Sequence, residues 1–341
     1  GTPVSAGSGG ALGGTGHGGS SGSGVGGLPT VVDGGTDAAS FHCVNWAVNG
    51  DNFQTGPLLL SGIFDDDTSY EAVTKRASAV EDAFIAQLKA NTFRMPINEP
   101  TVNNAEKWNA YKAIIDVGIA RNMKVVISFW AKDTGIGRPA NVEAWYQMWK
   151  TVIDAYVASP TVYFDIHNEP HGYDTDQWVQ QVKDWLAKFP NVPKNRIIVA
   201  GSGWDTNVYK VDQAFPDLLL EVHDYVFNTP TNGNTWVKQL LDRSSQGNYS
   251  RTIVGEWGTG VRPNTDFSKQ GDSDFMVAFA NTIKTNKMGS CWWPGLWAIP
   301  GNTSSWSLLN MDGTKGAGLS YSVQNPSAMA RIWHSWGLDC R

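Results

Sequence analysis

Two glutamates in this 341-residue chain close short apolar runs: Glu169 in Val162-Tyr163-Phe164-Asp165-Ile166-His167-Asn168-Glu169-Pro170, and Glu256 in Thr252-Ile253-Val254-Gly255-Glu256-Trp257-Gly258. Both runs favour a buried parallel strand, and each is interrupted, by Pro170 in one and by the flanking glycines in the other. A proline directly after Glu169 cannot extend a ladder and stiffens the turn, so Asn168 and Glu169 are held at the mouth of whatever the strand lines. One such glutamate would read as a solvated charge. Two in matching contexts suit glycoside hydrolysis, where one carboxyl protonates the leaving oxygen while the other attacks the anomeric carbon or activates water.

Positioning such a pair takes a rigid frame, and the hydrophobic periodicity supplies one. Strands are expected over 40–47, 92–97, 124–129, 162–166, 196–200, 218–222, 252–255 and 288–293. Helices are expected over about 74–89, 105–121, 141–157, 175–188, 235–243, 272–286 and 325–336. Eight strands alternating with helices, with the suspect residues at strand carboxyl ends, point to a (β/α)8 barrel. The Gly-, Asn- and Asp-rich passage from 48 to about 70 becomes a loop above the barrel that shapes the cleft. Arg94 falls inside the second strand, where an arginine is costly unless paired with a carboxylate.

The segments Phe93-Arg94-Met95-Pro96, His167-Asn168-Glu169-Pro170, His223-Asp224-Tyr225, Ile253-Val254-Gly255-Glu256-Trp257 and Cys291-Trp292-Trp293 occur in the order they take in glycoside hydrolase family 5, which the chain resembles over about its last three quarters. The resemblance implies a retaining mechanism. Glu169 would be the acid/base, protonated at rest with a raised pKa, and Glu256 the ionised nucleophile, with carboxyl groups about 5 to 5.5 Å apart. Arg94 would sit beside Glu256 and keep it ionised, and Asn168 would bind the sugar 2-hydroxyl. Tyr225 would hydrogen-bond the nucleophile, His223 would lie near the acid, and Trp293 would floor the subsite of the attacked sugar. The family's third strand often ends in histidine. Here Trp130 stands near that place, which leaves the first subsite's sugar preference open. Trp130, Trp204, Trp257 and Trp297 are further candidates for stacking on sugar rings. An endo-β-1,4-glucanase is the expected activity, with a mannanase or galactanase as alternative, and a non-catalytic carbohydrate-binding barrel as the alternative of another class.

Length allows one barrel of about 250 residues and an extension. Residues 1–27, almost wholly Gly, Ser, Ala and Thr, read as a linker or leader, and 28–341 as the catalytic domain. A linker suggests an upstream carbohydrate-binding module. Charged residues make up 17% and the net charge is −6 without a basic run, so neither nucleic acid nor an anionic membrane is an expected partner; a neutral polysaccharide or oligosaccharide is. The chain opens at Gly1 without a signal peptide, which reads as a mature or trimmed form, and secretion follows from the substrate class. A monomer without cofactor or metal is expected. Pro170 breaks the helix that His167 and His171 would need to share a metal, and three cysteines make no zinc framework. If a disulfide forms, Cys43 with Cys340 is favoured over Cys43 with Cys291, because bridging neighbouring strands strains the usual geometry. The sequons at Asn248 and Asn302, in loop-like surroundings, are expected to be exposed if the chain passes through a eukaryotic secretory path.

Overall fold

The apolar runs form β1 (His42–Trp46), β2 (Thr92–Ile97), β3 (Lys124–Phe129), β4 (Val162–Asp165), β5 (Ile197–Ala200), β6 (Leu219–His223), β7 (Thr252–Trp257) and β8 (Gly289–Leu296). They pair in sequence order, all parallel, and β8 returns to β1, so the sheet closes without an edge. After each strand comes a helix: α1 (Tyr70–Ala86), α2 (Ala105–Ala120), α3 (Val142–Tyr156), α4 (Thr175–Lys188), α5 (Val208–Ala214), α6 (Gly233–Arg243), α7 (Phe275–Thr285) and α8 (Pro326–Ser335). The expected (β/α)8 barrel is what forms. The structure is a computed structural model describing residues 37–50, 52–64, 67–131, 135–227, 232–269, 274–314 and 318–339. The Gly/Ser-rich segment 1–27 and Cys340 lie outside these residues.

Helix boundaries follow their caps. Ser69, Asn104, Asn141, Asp174, Asn232, Asp274 and Asn325 each accept a hydrogen bond from a first-turn backbone N–H, worth about 1 kcal/mol apiece. Ser69 therefore starts α1 at Tyr70, earlier than the apolar periodicity suggests, and Asp274 delays α7 to Phe275.

Two apolar layers hold the barrel. Inside it, Phe41, Cys43, Val126, Ile198, Leu219, Ile253 and Cys291 fill the floor beneath the rim. Between strands and helices lie Trp46, Trp145, Trp149, Trp178, Trp185, Trp257 and Trp292, all fully buried. Truncating one of these to alanine would cost about 3–5 kcal/mol.

The disulfide joins Cys43 to Cys291, not to Cys340. The register explains this correction: Cys43 on β1 and Cys291 on β8 are direct partners at the closing seam, their Cα atoms 4.1 Å apart. Asn248 and Asn302 are both exposed as expected, although the Asn248 amide donates to Asp212. Two features lack a counterpart in the sequence reading. Helix α5 has only seven residues and no side-chain cap. After β8 the chain makes an excursion through the hairpins β9 (Ala298–Ile299) with β10 (Asn302–Thr303) and β11 (Leu309–Thr314) with β12 (Gly318–Val323). Most of their residues are exposed or half-buried, so no apolar run marks them.

Candidate active site

At the carboxyl end of β7, Glu256 is nearly buried and held from two sides. Arg94 Nη1 donates to its Oε1 at 2.9 Å, and the Tyr225 hydroxyl donates to its Oε2 at 2.5 Å. Burial pushes the Glu256 carboxyl up, opposed by the His223 and Arg94 charges and by the Tyr225 hydrogen bond. Register slips on both sides of β7, between Val222 and His223 on β6 and between Val254 and Trp257 against β8, bracket the glutamate. Such irregularities re-aim a side chain at a barrel rim.

Arg94 organises a wider set. Its Nη2 lies 2.8 Å from Asp165 Oδ2 and donates to Asn168 Oδ1 at 2.7 Å, its Nε is 3.0 Å from Glu221 Oε1, and its Nη1 also reaches Asn45 Oδ1 at 3.1 Å. Burial works against the guanidinium charge, but Glu221, Asp165 and Glu256 more than offset it. Asp165, fully buried, is raised to about 7 by burial and by Glu221. The Glu221 carboxylate occupies the space where a side chain at position 255 would be: a Cβ there would come within 1.6 Å of Glu221 Oε1. Gly255 is therefore a glycine because Glu221 lies against it.

Glu169 sits across from this group. Its backbone is left-handed, with φ of 52°, and the turn is tied by the His171 N–H donating to the Glu169 carbonyl at 2.7 Å. His223 Nδ1 is 3.1 Å from Glu169 Oε1 and 3.7 Å from Glu256 Oε2, while its Nε2 faces Asp205 Oδ2 at 3.1 Å and Glu221 Oε1 at 3.3 Å. Burial alone would lower the imidazole pKa, but Glu256, Asp205, Glu169 and Glu221 raise it well above the usual value. One carboxylate oxygen of Glu169 and one of Glu256 lie within 4.8 Å of each other. That proximity matches the 5–5.5 Å of retaining pairs and is short of the roughly 6.5–9.5 Å that leaves room for an inverting water. The spacing of Glu169, His223 and Glu256 could also suit a cation, as could Asp205, Glu221 and His223. Both sets share His223, whose pKa is pushed up by its carboxyl neighbours, and Arg94 already forms ion pairs with Glu221 and Glu256.

The two glutamates open into a cleft of about 340 Å³ lined by Asn52, Phe53, Trp130, Tyr225, Phe227, Trp293, Trp297 and Trp306. Trp130 and Trp293 stack with centroids 5.6 Å apart, and Phe227 stacks on Tyr225 at 5.1 Å. Phe227 is 70% exposed, so an apolar face waits at the cleft wall. The loop after β1 supplies Asn52 and Phe53, as its position above the barrel implied.

Of the residues singled out in the sequence, Glu169, Glu256, Arg94, Asn168, His223 and Tyr225 come together, and Trp293, Trp130 and Trp297 line the cleft. Trp204 is not among the lining residues; 45% exposed, it stacks flat on His171 beside the Glu169 turn. Trp257 is fully buried against Phe279 and Trp292 and donates to Ser290 Oγ, so it is a packing residue and not a platform. Asp165, Glu221, Asp205, Asn45, Phe53, Phe227 and Trp306 went unnoticed. A charged residue inside an otherwise apolar strand, as in Val162–Asp165 and Leu219–His223, is the signal that marks Asp165 and Glu221. Asp205 and Trp306 carry no comparable mark.

A closed parallel barrel with two carboxylates facing each other over an aromatic cleft has the architecture of a retaining glycosidase. The chain belongs to the cellulase family, glycosyl hydrolase family 5, whose model matches residues 66–295. It is therefore a glycoside hydrolase of the retaining, double-displacement type. No curated protein matches the chain. Among solved structures it is similar to the catalytic domain of the major endoglucanase of Xanthomonas campestris pv. campestris, at 16% identity and TM-score 0.62 over 87% of this chain and 94% of that one. It is also similar to the endocellulase of Pyrococcus horikoshii in complex with cellotetraose, at 13% identity and TM-score 0.58 over 87% and 92%. A third likeness is to the catalytic domain of Thermobifida fusca endoglucanase Cel5A, also with cellotetraose, at 18% identity and TM-score 0.55 over 76% and 85%. At such identities the likeness concerns the fold.

Proposed function

We propose that the chain is an endo-β-1,4-glucanase in which Glu256 is the nucleophile and Glu169 the acid/base. The observation that carries this assignment is the asymmetry of the pair. Glu256 is gripped by Arg94 and Tyr225, which only donate to it, whereas Glu169 is more open and meets His223. In the first step a Glu256 oxygen bonds to the anomeric carbon as the glycosidic C–O bond breaks, and Glu169 gives its proton to the departing oxygen. In the second, Glu169 takes a proton from water, whose oxygen displaces Glu256 from the anomeric carbon. Asn168 has its Oδ1 bound to Arg94 and its buried Nδ2 without a hydrogen-bond partner among the described residues, so a sugar 2-hydroxyl would complete it.

An uncharged β-glucan suits a cleft whose walls are aromatic, because the apolar faces of glucose rings stack on them. The description of the matching family and of the similar endoglucanases supports the same choice. One feature favours a second reading: Trp130 stacked on Trp293 reshapes the first subsite, so mannan or a galactose-containing glycan is the alternative. A polymeric substrate implies action outside the cell. Release of reducing ends from glucans, mannans, xylans and galactans, measured beside viscosity loss, tests both points. Cellulosic glucan hydrolysed fastest with an early fall in viscosity is the expected result. Preference for another polymer, or reducing ends released with viscosity intact, would overturn the choice.

A further inference from the structure

The chain between β5 and α5 takes an unusual path. Gly203, Trp204 and Asp205 are successively left-handed, with φ of 62°, 63° and 57°. Aspartate tolerates this conformation but tryptophan seldom does, and such strain at Trp204 persists only where the surroundings enforce it. The turn sends Trp204 outward onto His171 and Asp205 inward, where it is fully buried. There the Asp205 carboxyl makes no hydrogen bond of good geometry with any described residue, and its close polar neighbour is His223 Nε2 at 3.1 Å. The other ring nitrogen of His223 faces Glu169 at 3.1 Å.

We propose that Asp205 is a positioning residue of the acid/base machinery: beside the Glu221 carboxylate that hydrogen-bonds His223 Nε2, it holds the ring by that nitrogen so that the other presents a proton to Glu169. The inference rests on the assignment of Glu169 as acid/base. His223 is faced by Glu169 from the end of β4, Asp205 from the turn after β5, Glu221 from its own strand and Glu256 from β7, with Arg94 of β2 beyond Glu221 and Glu256. Among these, Glu221 and Glu256 already share Arg94, which leaves Asp205, on one side of the ring, and Glu169, on the other, as the carboxyls that face the imidazole alone. Burial and the neighbouring carboxylates push the Asp205 carboxyl well up while the imidazolium beside it pulls it down, so the two hold their proton as a pair, and replacing Asp205 by a group that cannot ionise should let His223 release its proton at lower pH. Glu169 would then face a neutral ring, and both the orientation and the proton supply of the acid would suffer.

Asp205→Asn keeps the size of the side chain and removes the charge. The expected result is a kcat lowered 10-fold or more with KM changed less than 3-fold, the alkaline limb of kcat/KM moved down by about one pH unit, and substantial recovery in Asp205→Glu. NMR titration of the His223 ring, in the parent and in Asp205→Asn, reads the coupling without using activity. His223 should stay protonated through neutral pH in the parent and titrate lower in the variant. A parent His223 that titrates near 6.5 overturns the proposal, and that measurement needs no variant to fold. An unmoved His223 titration in Asp205→Asn also overturns it, as does a moved titration with an unmoved alkaline limb. Glu169→Ala assayed alongside separates the two claims: if it matches the parent on polysaccharide, the acid/base assignment itself is wrong.

Discussion

Glu256 and Glu81 are both buried glutamates, and their surroundings differ in every respect that matters. Glu256 has two cations and a hydroxyl around its carboxylate. Glu81, on the inner face of α1, has neither carboxylate oxygen hydrogen-bonded to any described residue, and burial pushes it up to about 9 even with Arg121 nearby. Burial without donors therefore pushes a glutamate far up in this fold. What separates a reactive carboxylate from an inert one is the set of donors assembled by β2, β6 and the loop after β6, not depth. Glu169 is the intermediate case, with a side chain 15% exposed and open to the cleft, where a group that exchanges protons with substrate and water must be.

Replacing Glu256 by Ala should lower kcat on polysaccharide by roughly 10⁵-fold, since the covalent route disappears. Added azide, filling the vacated space, should yield the inverted glycosyl adduct from an activated substrate; a variant with near-normal activity would remove the nucleophile assignment. Glu169→Ala should lose roughly 10²–10⁴-fold on polysaccharide and much less on an aryl glycoside whose leaving group needs no proton. Equal losses on both substrates would contradict the division of labour.

Arg94→Met strips the cation from Asp165, Glu221 and Glu256 together. A stability loss of about 3–5 kcal/mol is expected, read by denaturant titration, with Arg94→Lys recovering only part because it lacks the planar fork. Glu81→Gln should act in the opposite direction. The unfolded chain releases the Glu81 proton near 4.5 while the fold keeps it until about 9, so the native state loses stability as pH rises between those values. The Gln variant should therefore be about as stable as the parent at pH 4 and more stable by on the order of 1–3 kcal/mol at pH 7. Thermal midpoints across that range check the slope. At the cleft wall, Phe227→Ala should raise KM roughly 3- to 10-fold with little change in kcat, the loss of one stacking face.

How far the sequence discloses this arrangement depends on how each residue arrives. Arg94, Asn168, Glu169 and Glu256 lie in or directly after strands, so a strand's end and its alternation place them. Tyr225 and Trp293 are similarly tied to β6 and β8. Cleft walls are another matter: Trp306 reaches the cleft on an excursion whose half-exposed strands have no apolar run, and Asp205 depends on three consecutive left-handed residues that local propensity opposes. Trp257 misleads for the converse reason. It follows a reactive glutamate by one position, and alternation along the strand turns it to the opposite face.

The contact between Gly255 and Glu221 has a consequence for how the barrel can change. A methyl group at 255 would overlap the Glu221 carboxylate, which also engages Arg94 and His223. Neither position is free to vary by itself: alanine at 255 in the parent displaces Glu221 from Arg94 and His223, and Glu221→Ala opens the space for that alanine but strips the same two cations of their shared carboxylate. Either single replacement disturbs the cations that hold the nucleophile, so the two positions are locked to each other in sequence space. Routine glycine-to-alanine stabilisation would fail here without any sign of poor helix or strand propensity to warn of it.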